Sequence, residues 1–422
     1  MLGAIVVAST GFTVRTVPAA SSHRHAPLAA SGVPRIDRRS VVEWGCAAGT
    51  ASLLLPSAAL AAAPAAAPVL SSSWSATDGF SDTSFISFDE GAYASMRDDA
   101  SRTPAFEKAI KERLAGTDDK VVLDLGTGPF ALLAIIAARA GARKVYAIEA
   151  QPEAARRARQ VIKEAGLADR IEVIEGFSTA VQLPEKADLA LAEIVGSIAS
   201  EEGMYATIRD AQARHLKAPG SAASWIPLRC QTLAAPASYA LHYALGPPQF
   251  DWGKLKEPVR LNCRDETLQL LADPVVLEDI CFADLELPAA GSTWRPASPP
   301  SFVVDGGRID SNEAKFYEEL TREGAKDAEA KPLAAAVARS LSGVAMWPRL
   351  VLDQDATIVC ESRGPRGEHQ KSHWQTVLPL LSARPRPVTA GDTIVVDATV
   401  QVQRVDQPLV YKLDAKLRPA LG

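Results

Sequence analysis

Two carboxylates in the segment AEIVGSIASEEGM, residues 192–204, have a spacing suited to binding a cation. Glu193 ends a predicted apolar strand, and Glu202 follows nine residues later at the start of a predicted amphipathic helix. A hairpin loop between them brings the carboxylates together, and two adjacent carboxylates stay ionised only beside a cation. A planar guanidinium with five donors suits such a pair. The alternative is a solvated loop in which Glu201 and Glu202 simply favour a helix N-terminus.

A second set of residues, in and after VVLDLGTGPF, indicates a nucleotide site. Asp124, Gly126 and Gly128 fall at the turn after a predicted strand, where glycine lets the backbone approach a ligand closely. Phe130 replaces the third glycine of a dinucleotide cradle, and Glu149 ends the next strand, where an acid binds ribose hydroxyls. The pattern predicts an adenosine ligand without a diphosphate, for which S-adenosylmethionine is the natural candidate. The alternative is a plain turn with a surface glutamate.

The elements that position these residues alternate between strand and helix from about residue 120. KVVLDLG, KVYAIEA, RIEVIEG and ADLALAE are predicted strands, and FALLAIIAARAGA and PEAARRARQVIKEAGL are predicted helices. This order predicts an α/β fold with a Rossmann-like, doubly wound parallel sheet over residues 75–225. Ligands of such sheets bind at the carboxyl ends of the strands, which is where both sets of residues fall.

The remainder of the chain, 226–422, has β-like runs separated by turn residues, which predict an antiparallel β-barrel. One charged segment, about 304–335, interrupts these runs. Asp310 and Glu313 form a capping-box pattern at its start, so the sequence predicts an inserted surface helix that begins there.

Composition narrows the classes of function. The formal net charge of −5 argues against a nucleic-acid partner, because nucleic acids usually meet a basic surface. The five cysteines show no CxxC spacing, and only four histidines lie beyond residue 61. Neither a metal site nor a redox motif is therefore expected.

The first 61 residues have the composition of a targeting segment. No acidic residue precedes Asp37, and the pair Arg38–Arg39 is followed by a modest apolar run and a cleavage-like ALA sequence at 59–61. The pattern predicts a transit peptide followed by a twin-arginine-like signal, and hence a plastid location, in the stroma or the thylakoid lumen. The apolar run is too short and alanine-rich for a membrane-spanning helix, so no stable membrane insertion is expected. A single long transit peptide is the alternative.

Three separated segments resemble the protein arginine methyltransferases. LAEIVGSIASEEGM resembles the double-glutamate loop of that family, ASMRDDASRT its N-terminal helix, and SHWQTVLPL its Thr-His-Trp loop, with Ser372 in place of threonine. The likeness runs from about residue 85 to the end of the sequence. It implies methyl transfer from S-adenosylmethionine to a guanidinium nitrogen of an arginine-containing protein. A homodimer is compatible with it, although the segment that matches the dimerisation arm, 246–258, is short.

The resemblance also implies a role for each matching residue. Glu193 and Glu202 would hold the substrate guanidinium, while His373 would pair with Asp99 across the active site. Arg102 would bind the carboxylate of the cofactor. The residues implied to border the substrate are Met96, Met204 and Trp374, and the implied cofactor-binding residues are Arg102, Asp124, Gly126, Gly128, Glu149, Ser178 and Thr179.

Two departures from the family pattern keep other functions open. Phe130 stands where the family has glycine, and Ala180 stands where it often has an acid near the adenine amine. One alternative is therefore a catalytically inactive, methyltransferase-like binding module. The other is a methyltransferase that acts on a small guanidino or amine compound.

Overall fold

The computed structural model describes residues 6–7, 69–76, 90–404 and 407–420. The predicted targeting segment, 1–61, therefore lies outside the described residues, except for the two-residue strand β1 (Val6–Val7). Strand β2 (Val69–Ser75) comes before the predicted nucleotide-binding half of the chain. No helix within the described ranges is long and apolar enough to cross a membrane.

The first half of the described chain contains a five-stranded parallel sheet. In chain order its elements are α1 (Glu90–Arg97), α2 (Arg102–Leu114), β3 (Val121–Leu125), α3 (Leu132–Arg139), β4 (Lys144–Glu149), α4 (Pro152–Glu164), β5 (Ile171–Glu175), β6 (Leu189–Leu191), α5 (Met204–Asp210) and β7 (Trp225–Ile226). The strand order is β5–β4–β3–β6–β7, with every neighbouring pair parallel. A π-helical turn, Ala211–His215, extends α5.

The sequence explains why these elements form. Strand β3 is apolar apart from Asp124 and is buried along its whole length, as expected for a strand covered on both faces. Helix α4 begins with Pro152 in its first turn and buries one apolar stripe, which includes Ala158 and Ile162. The carboxyl ends of β3, β4 and β6 therefore meet at one edge of the sheet. This edge presents the nucleotide turn (residues 124–128), Glu149 and the acidic loop (residues 192–203).

After β7 the chain turns to antiparallel strands. In chain order the elements are β8 (Arg229–Tyr239), α6 (Ala240–Ala244), β9 (Val259–Asn262), β10 (Leu268–Leu270), β11 (Val275–Cys281), β12 (Thr293–Trp294), β13 (Ser301–Val303), α7 (Gly306–Arg322), α8 (Asp327–Ala338), β14 (Ser340–Leu341), β15 (Gly343–Val351), β16 (Val359–Glu361), β17 (Gln375–Leu378), β18 (Arg386–Pro387), β19 (Thr393–Gln401) and β20 (Val410–Arg418). One curled sheet joins β8, β9, β10, β11, β15, β16 and β17 with β1. A second sheet joins β12, β13, β19 and β20 with β2, so β2 packs with the barrel half although it precedes the parallel sheet in sequence.

The charged insert is a pair of helices, α7 and α8, and the predicted start of a single helix at Asp310 is wrong. Helix α7 begins at Gly306 because the side chain of Asp305 caps it, accepting the backbone N–H of Arg308 at 3.0 Å. Asp310 and Glu313 lie inside α7, where Glu313 pairs with Arg339 at 2.5 Å instead of closing a capping box. The true start of the helix therefore lies about one turn before the capping-box pattern.

Candidate active site

A cavity of about 450 Å³ lies at the carboxyl edge of the parallel sheet, between α1 and the residues that precede and begin β17. It contains most of the residues that the sequence singled out. Those that line it are Met96, Arg102, Asp124, Gly126, Gly128, Glu149, Ser178, Glu193, Glu202, His373 and Trp374. Asp99, Thr179 and Met204 are not part of its wall.

The turn after β3 is held against the end of β4 by a hydrogen bond from its backbone to the side chain of Glu149. Gly128 has a positive φ of 66°, which favours glycine, and its N–H donates to Oε2 of Glu149 at 2.8 Å. The N–H of Gln151 donates to Oε1 of the same carboxylate at 2.9 Å. Burial raises the pKa of Glu149, while these two donors oppose the rise. Each carboxylate oxygen keeps a lone pair for a ribose hydroxyl.

Asp124 lies beneath this turn and fixes its shape. Its Oδ2 accepts the hydroxyl of Thr127 at 2.6 Å and the N–H of Ala134 at 3.1 Å. Burial raises the pKa of Asp124 to about 6, although both hydrogen bonds favour the ionised form. Asp124 therefore joins the turn to the start of helix α3 rather than simply lining the cavity.

Arg102 and Glu193 form an ion pair on the cavity wall. Nη2 of Arg102 contacts Oε2 of Glu193, and each side chain is 8% exposed. Nη1 of Arg102 donates to the carbonyl of Met96 at 3.2 Å, and its buried Nε–H has no hydrogen-bond partner among the described residues. The predicted cofactor-carboxylate ligand and one predicted substrate carboxylate are thus in direct contact.

Asp99 joins the break between α1 and α2 to the barrel half. Its Oδ1 accepts the N–H groups of Ser101 at 2.9 Å and Arg102 at 3.0 Å, which caps the start of α2. Its Oδ2 lies 2.8 Å from Nδ1 of His373 and accepts the N–H of the same residue at 2.9 Å. Burial opposes ionisation of Asp99, but these hydrogen bonds outweigh it and hold its pKa well below the usual range. The predicted contact between Asp99 and His373 is present.

The residues expected to border the substrate have different surroundings. Met96 and Trp374 line the cavity, and Nε1 of Trp374 donates to the carbonyl of Val195 at 2.9 Å. Met204 is fully buried among the apolar core residues and is not part of the cavity wall, so its expected place beside the substrate stays a prediction. As the first residue of α5, it turns inward, while Gly203 reaches the cavity.

Of the two neighbouring residues expected to bind the cofactor, Ser178 and Thr179, only one lies at the cavity. Ser178 lines the wall, whereas Thr179 does not. The carbonyl of Ser178 already accepts from the side chain of Arg214, and its distance to Nε2 of His215 is 3.0 Å. Phe177, which the sequence reasoning passed over, lines the cavity as a large exposed ring. Phe177 follows Gly176 at the carboxyl end of β5, the edge of the sheet where ligands bind, so its position could have predicted this place.

Further residues line the cavity beside those to which the sequence gives a role. Ser197 and Gln375 meet at the loop, where the N–H of Gln375 donates to Oγ of Ser197 at 3.1 Å. Tyr93 covers the nucleotide turn so closely that a Cβ on Gly128 would lie 3.6 Å from its ring. Phe130 also lines the cavity, and the guanidinium of Arg97 lies 4.9 Å above its ring.

A second cavity, of about 370 Å³, lies between α7 and a neighbouring barrel loop, and several of its charged side chains already have partners within the protein. Arg308 and Arg366 both contact Asp273. Asp305 and Glu368 accept backbone N–H groups at 3.0 Å and 2.8 Å. The described residues contain no group of three histidine, cysteine or acidic side chains placed to hold a metal ion. The first cavity is therefore the candidate active site.

The parallel sheet followed by curled antiparallel sheets defines a methyltransferase fold with an appended barrel. Arabidopsis thaliana protein arginine methyltransferase 10, solved in an open conformation, superposes with a TM-score of 0.57 at 20% identity, covering 78% of this chain and 93% of that one. The Trypanosoma brucei PRMT1 enzyme–prozyme complex with AdoHcy gives a TM-score of 0.55 at 19% identity, covering 74% of this chain and 88% of that one. The predicted fold class is confirmed.

Sequence comparison points to the same proteins. The profile of ribosomal protein L11 methyltransferase (PrmA) matches residues 108–211. Arabidopsis thaliana protein arginine N-methyltransferase PRMT10 is 40% identical over 125 residues, which is 30% of this chain and 32% of that protein. Probable protein arginine N-methyltransferase 6 of the same plant is 32% identical over 154 residues, 36% of this chain and 34% of that protein. The chain thus matches about a third of the length of these relatives, and the predicted resemblance is confirmed.

Proposed function

We propose that the chain is an S-adenosylmethionine-dependent methyltransferase that acts on arginine side chains of proteins. The observation that carries this proposal is the position of Glu193 and Glu202, which stand at the two ends of one loop and line the cavity that contains the nucleotide turn. Two carboxylates at a nucleotide site suit a guanidinium that must be held beside a bound methyl donor. The similarity to protein arginine N-methyltransferases supports the same reaction.

The cavity residues fit S-adenosylmethionine, which supplies an activated methyl group when bound. Glu149 would accept hydrogen bonds from the ribose hydroxyls, and the open turn at Gly128 would lie against the nucleoside. Arg102 suits the amino-acid end of the cofactor, because nothing in the part of the chain that the structure describes accepts a hydrogen bond from its buried Nε–H. A carboxylate bound there would share the charge of Arg102 with Glu193.

The side chains of the loop have a clear task in this reaction. Glu193 and Glu202 would accept hydrogen bonds from the substrate guanidinium and fix the direction of its terminal nitrogens. They would also stabilise the positive charge that persists on the substrate, since arginine stays protonated at neutral pH. His373 and Asp99 would act at a distance by holding the barrel against the break between α1 and α2.

The partners that we propose are an arginine-containing protein substrate and a second copy of this chain. One structural neighbour comes from a heterotetrameric complex, which supports an assembly of some kind. No nucleic-acid partner is proposed, given the net charge of −5. Light scattering of the purified protein measures the assembly directly.

We also propose a plastid location, on the composition of residues 1–61. The stroma is favoured over the thylakoid lumen because the cofactor must reach the enzyme. A reporter fused to residues 1–70 should enter plastids and lose its N-terminus. Replacing Arg38 and Arg39 by lysine should block only a second, thylakoid step. An intact fusion retained in the cytosol would contradict the proposal.

The decisive experiment is mass spectrometry of candidate proteins incubated with the enzyme and isotope-labelled S-adenosylmethionine. Label on arginine side chains supports the proposal. Label on a small guanidino or amine compound alone would support that alternative substrate class. Binding of S-adenosylhomocysteine without transfer to any acceptor would indicate an inactive binding module.

A further inference from the structure

Glu201 is a buried carboxylate inside the acidic loop, and the proposed reaction does not use it. Its side chain is 0% exposed, and its Oε1 lies 2.6 Å from Nη2 of Arg260, which is 4% exposed. Its Oε2 accepts the N–H of Ile198 at 3.0 Å. Desolvation of a buried ion pair costs about as much as the attraction returns. A gain in stability is therefore a poor explanation for this pair.

The ion pair joins the acidic loop, several of whose residues line the cavity, to a barrel strand that lies beside β17. Glu201 lies on the loop between β6 and α5, and Arg260 lies on β9. Arg260 is directly opposite Val377 of β17, the strand that begins just after His373 and Trp374. One charge pair thus fixes the acidic loop to the strands that position the barrel side of the cavity.

The loop is shaped to accept this carboxylate. A Cβ on Gly196 would lie 2.7 Å from Cβ of Glu201, so glycine is required for Glu201 to fold back beneath the loop. Further contacts between the loop and the barrel half include Trp374 Nε1 to Val195 O at 2.9 Å, Gln375 N to Ser197 Oγ at 3.1 Å, Ala199 N to Thr232 Oγ1 at 3.0 Å, and Ser200 Oγ to Tyr411 Oη at 2.8 Å. The barrel therefore determines the conformation of the loop along its length.

We propose that Arg260, acting through Glu201, is a positioning residue that sets where Glu193 and Glu202 point. The proposal rests on the proposed function, because the placement of the two carboxylates matters only if they hold a common cation. Glu202 follows Glu201 directly, so any displacement of Glu201 moves Glu202 through one peptide unit. A misplacement of about 1 Å costs on the order of a hundredfold in rate.

The test replaces the ion pair by apolar residues of similar size, Glu201→Leu together with Arg260→Met. Such replacements of a buried pair often preserve or raise stability, whereas removing one partner leaves a buried charge uncompensated. The control is Arg229→Met with Asp279→Leu, which removes a partly exposed 2.7 Å ion pair between two barrel strands, β8 and β11. We would measure kcat and KM on an arginine-glycine peptide, the Kd of S-adenosylhomocysteine, and hydrogen exchange of residues 194–204.

The apolar pair should fold, bind S-adenosylhomocysteine within about twofold of wild type, and lose about tenfold or more in kcat/KM. Its loop amides should exchange faster, and the control should match wild type in every readout. Arg260→Lys keeps the charge without the planar fork, so its kcat/KM should fall between wild type and the apolar pair.

A folded apolar pair with wild-type kcat/KM and loop exchange would overturn the positioning role. If that variant does not fold, wild-type kcat/KM and loop exchange in Arg260→Lys would overturn it instead. Failure of the wild-type enzyme to methylate arginine would count against the proposed function alone. Loop exchange would then still decide whether the ion pair fixes the loop.

Discussion

At the scale of single residues, Asp99, Glu149 and Glu193 are each held by other groups of the protein. Asp99 caps α2 with one oxygen and binds His373 with the other. Glu149 accepts one backbone N–H on each oxygen, and Glu193 pairs with Arg102. Each carboxylate is therefore oriented before any ligand arrives, which lowers the cost of binding one.

Glu193→Gln and Glu202→Gln should each lower kcat by about a hundredfold, the scale for loss of one electrostatic contact in an active site. Glu202→Gln should not alter folding, whereas Glu193→Gln should also lower stability because it leaves the buried charge of Arg102 without its carboxylate. S-adenosylhomocysteine should still bind both variants. Steady-state kinetics and isothermal titration calorimetry measure the two effects. The exposed residue Glu286 provides a control in Glu286→Gln. Turnover close to wild type in either variant would remove that residue from the substrate site.

Asp124→Asn should change the dependence of stability on pH. Burial raises the pKa of Asp124 to about 6, above its usual value, so the folded protein holds this proton more tightly than the unfolded chain. Binding of this proton adds up to about 3 kcal/mol to the free energy of unfolding. The contribution is full below about pH 4 and is lost as pH rises through about 6. Urea unfolding of both proteins between about pH 4.5 and 7 tests this. The wild type should weaken more than the variant as pH rises, and parallel curves would contradict the assignment.

At the scale of elements, side-chain caps decide where the helical insert begins. Asp305→Ala should cost about 1 kcal/mol of stability, because it removes the N-cap of α7. Asp310→Ala should change stability by less than about 0.5 kcal/mol, because that side chain is 80% exposed and lies 4.0 Å from its nearest cation, Arg339. Urea unfolding compares the two variants. A larger loss for Asp310→Ala would restore the capping-box interpretation.

The elements that the sequence predicts well are those that local pattern determines. Strands β3 and β4 are short, mostly apolar runs, and α4 has a proline start and an apolar stripe, so neighbours along the chain suffice to identify them. The break at Asp99 is different, because its partner His373 lies 274 residues away. No local pattern reports such a contact.

The same limit applies inside the site. The spacing of Glu193 and Glu202 predicts that they lie at one loop. The sequence pattern does not show that Glu201 is buried and paired, because its partner Arg260 lies on a distant strand. Met204 was expected at the substrate because of its motif position, whereas helix α5 turns it into the core. Side-chain direction at the start of a helix depends on packing that the sequence pattern does not contain.

At the scale of the whole molecule, both halves of the chain contribute to one cavity. The parallel sheet supplies the nucleotide turn and the acidic loop, and the barrel half supplies His373, Trp374 and Gln375. The ion pair between Glu201 and Arg260 adds a further connection between the halves. A ligand in the cavity therefore contacts, or lies beside, residues from both.

S-adenosylhomocysteine should accordingly stabilise both halves, although its proposed contacts lie mostly on the sheet. A ligand at a hundred times its Kd raises the free energy of unfolding by about 2.7 kcal/mol. Hydrogen exchange should slow in β3 and β4 and also in β9 and β17. Protection confined to the parallel sheet would show that the halves unfold independently. Arg295→Gln is the control variant, because Arg295 is an exposed barrel residue with a weak 3.6 Å ion pair. The ligand should protect this variant to the same extent as the wild type.

The bond between Asp99 and His373 has a consequence for the order in which the protein folds. The parallel sheet depends mostly on contacts between neighbouring segments, which form quickly, while pairing across 274 residues must wait for loop closure. We therefore expect the nucleotide-binding sheet to fold first and the substrate site to be completed last, when β17 and the preceding His373 reach their places. Methyl transfer would then begin only after the barrel has closed against the sheet.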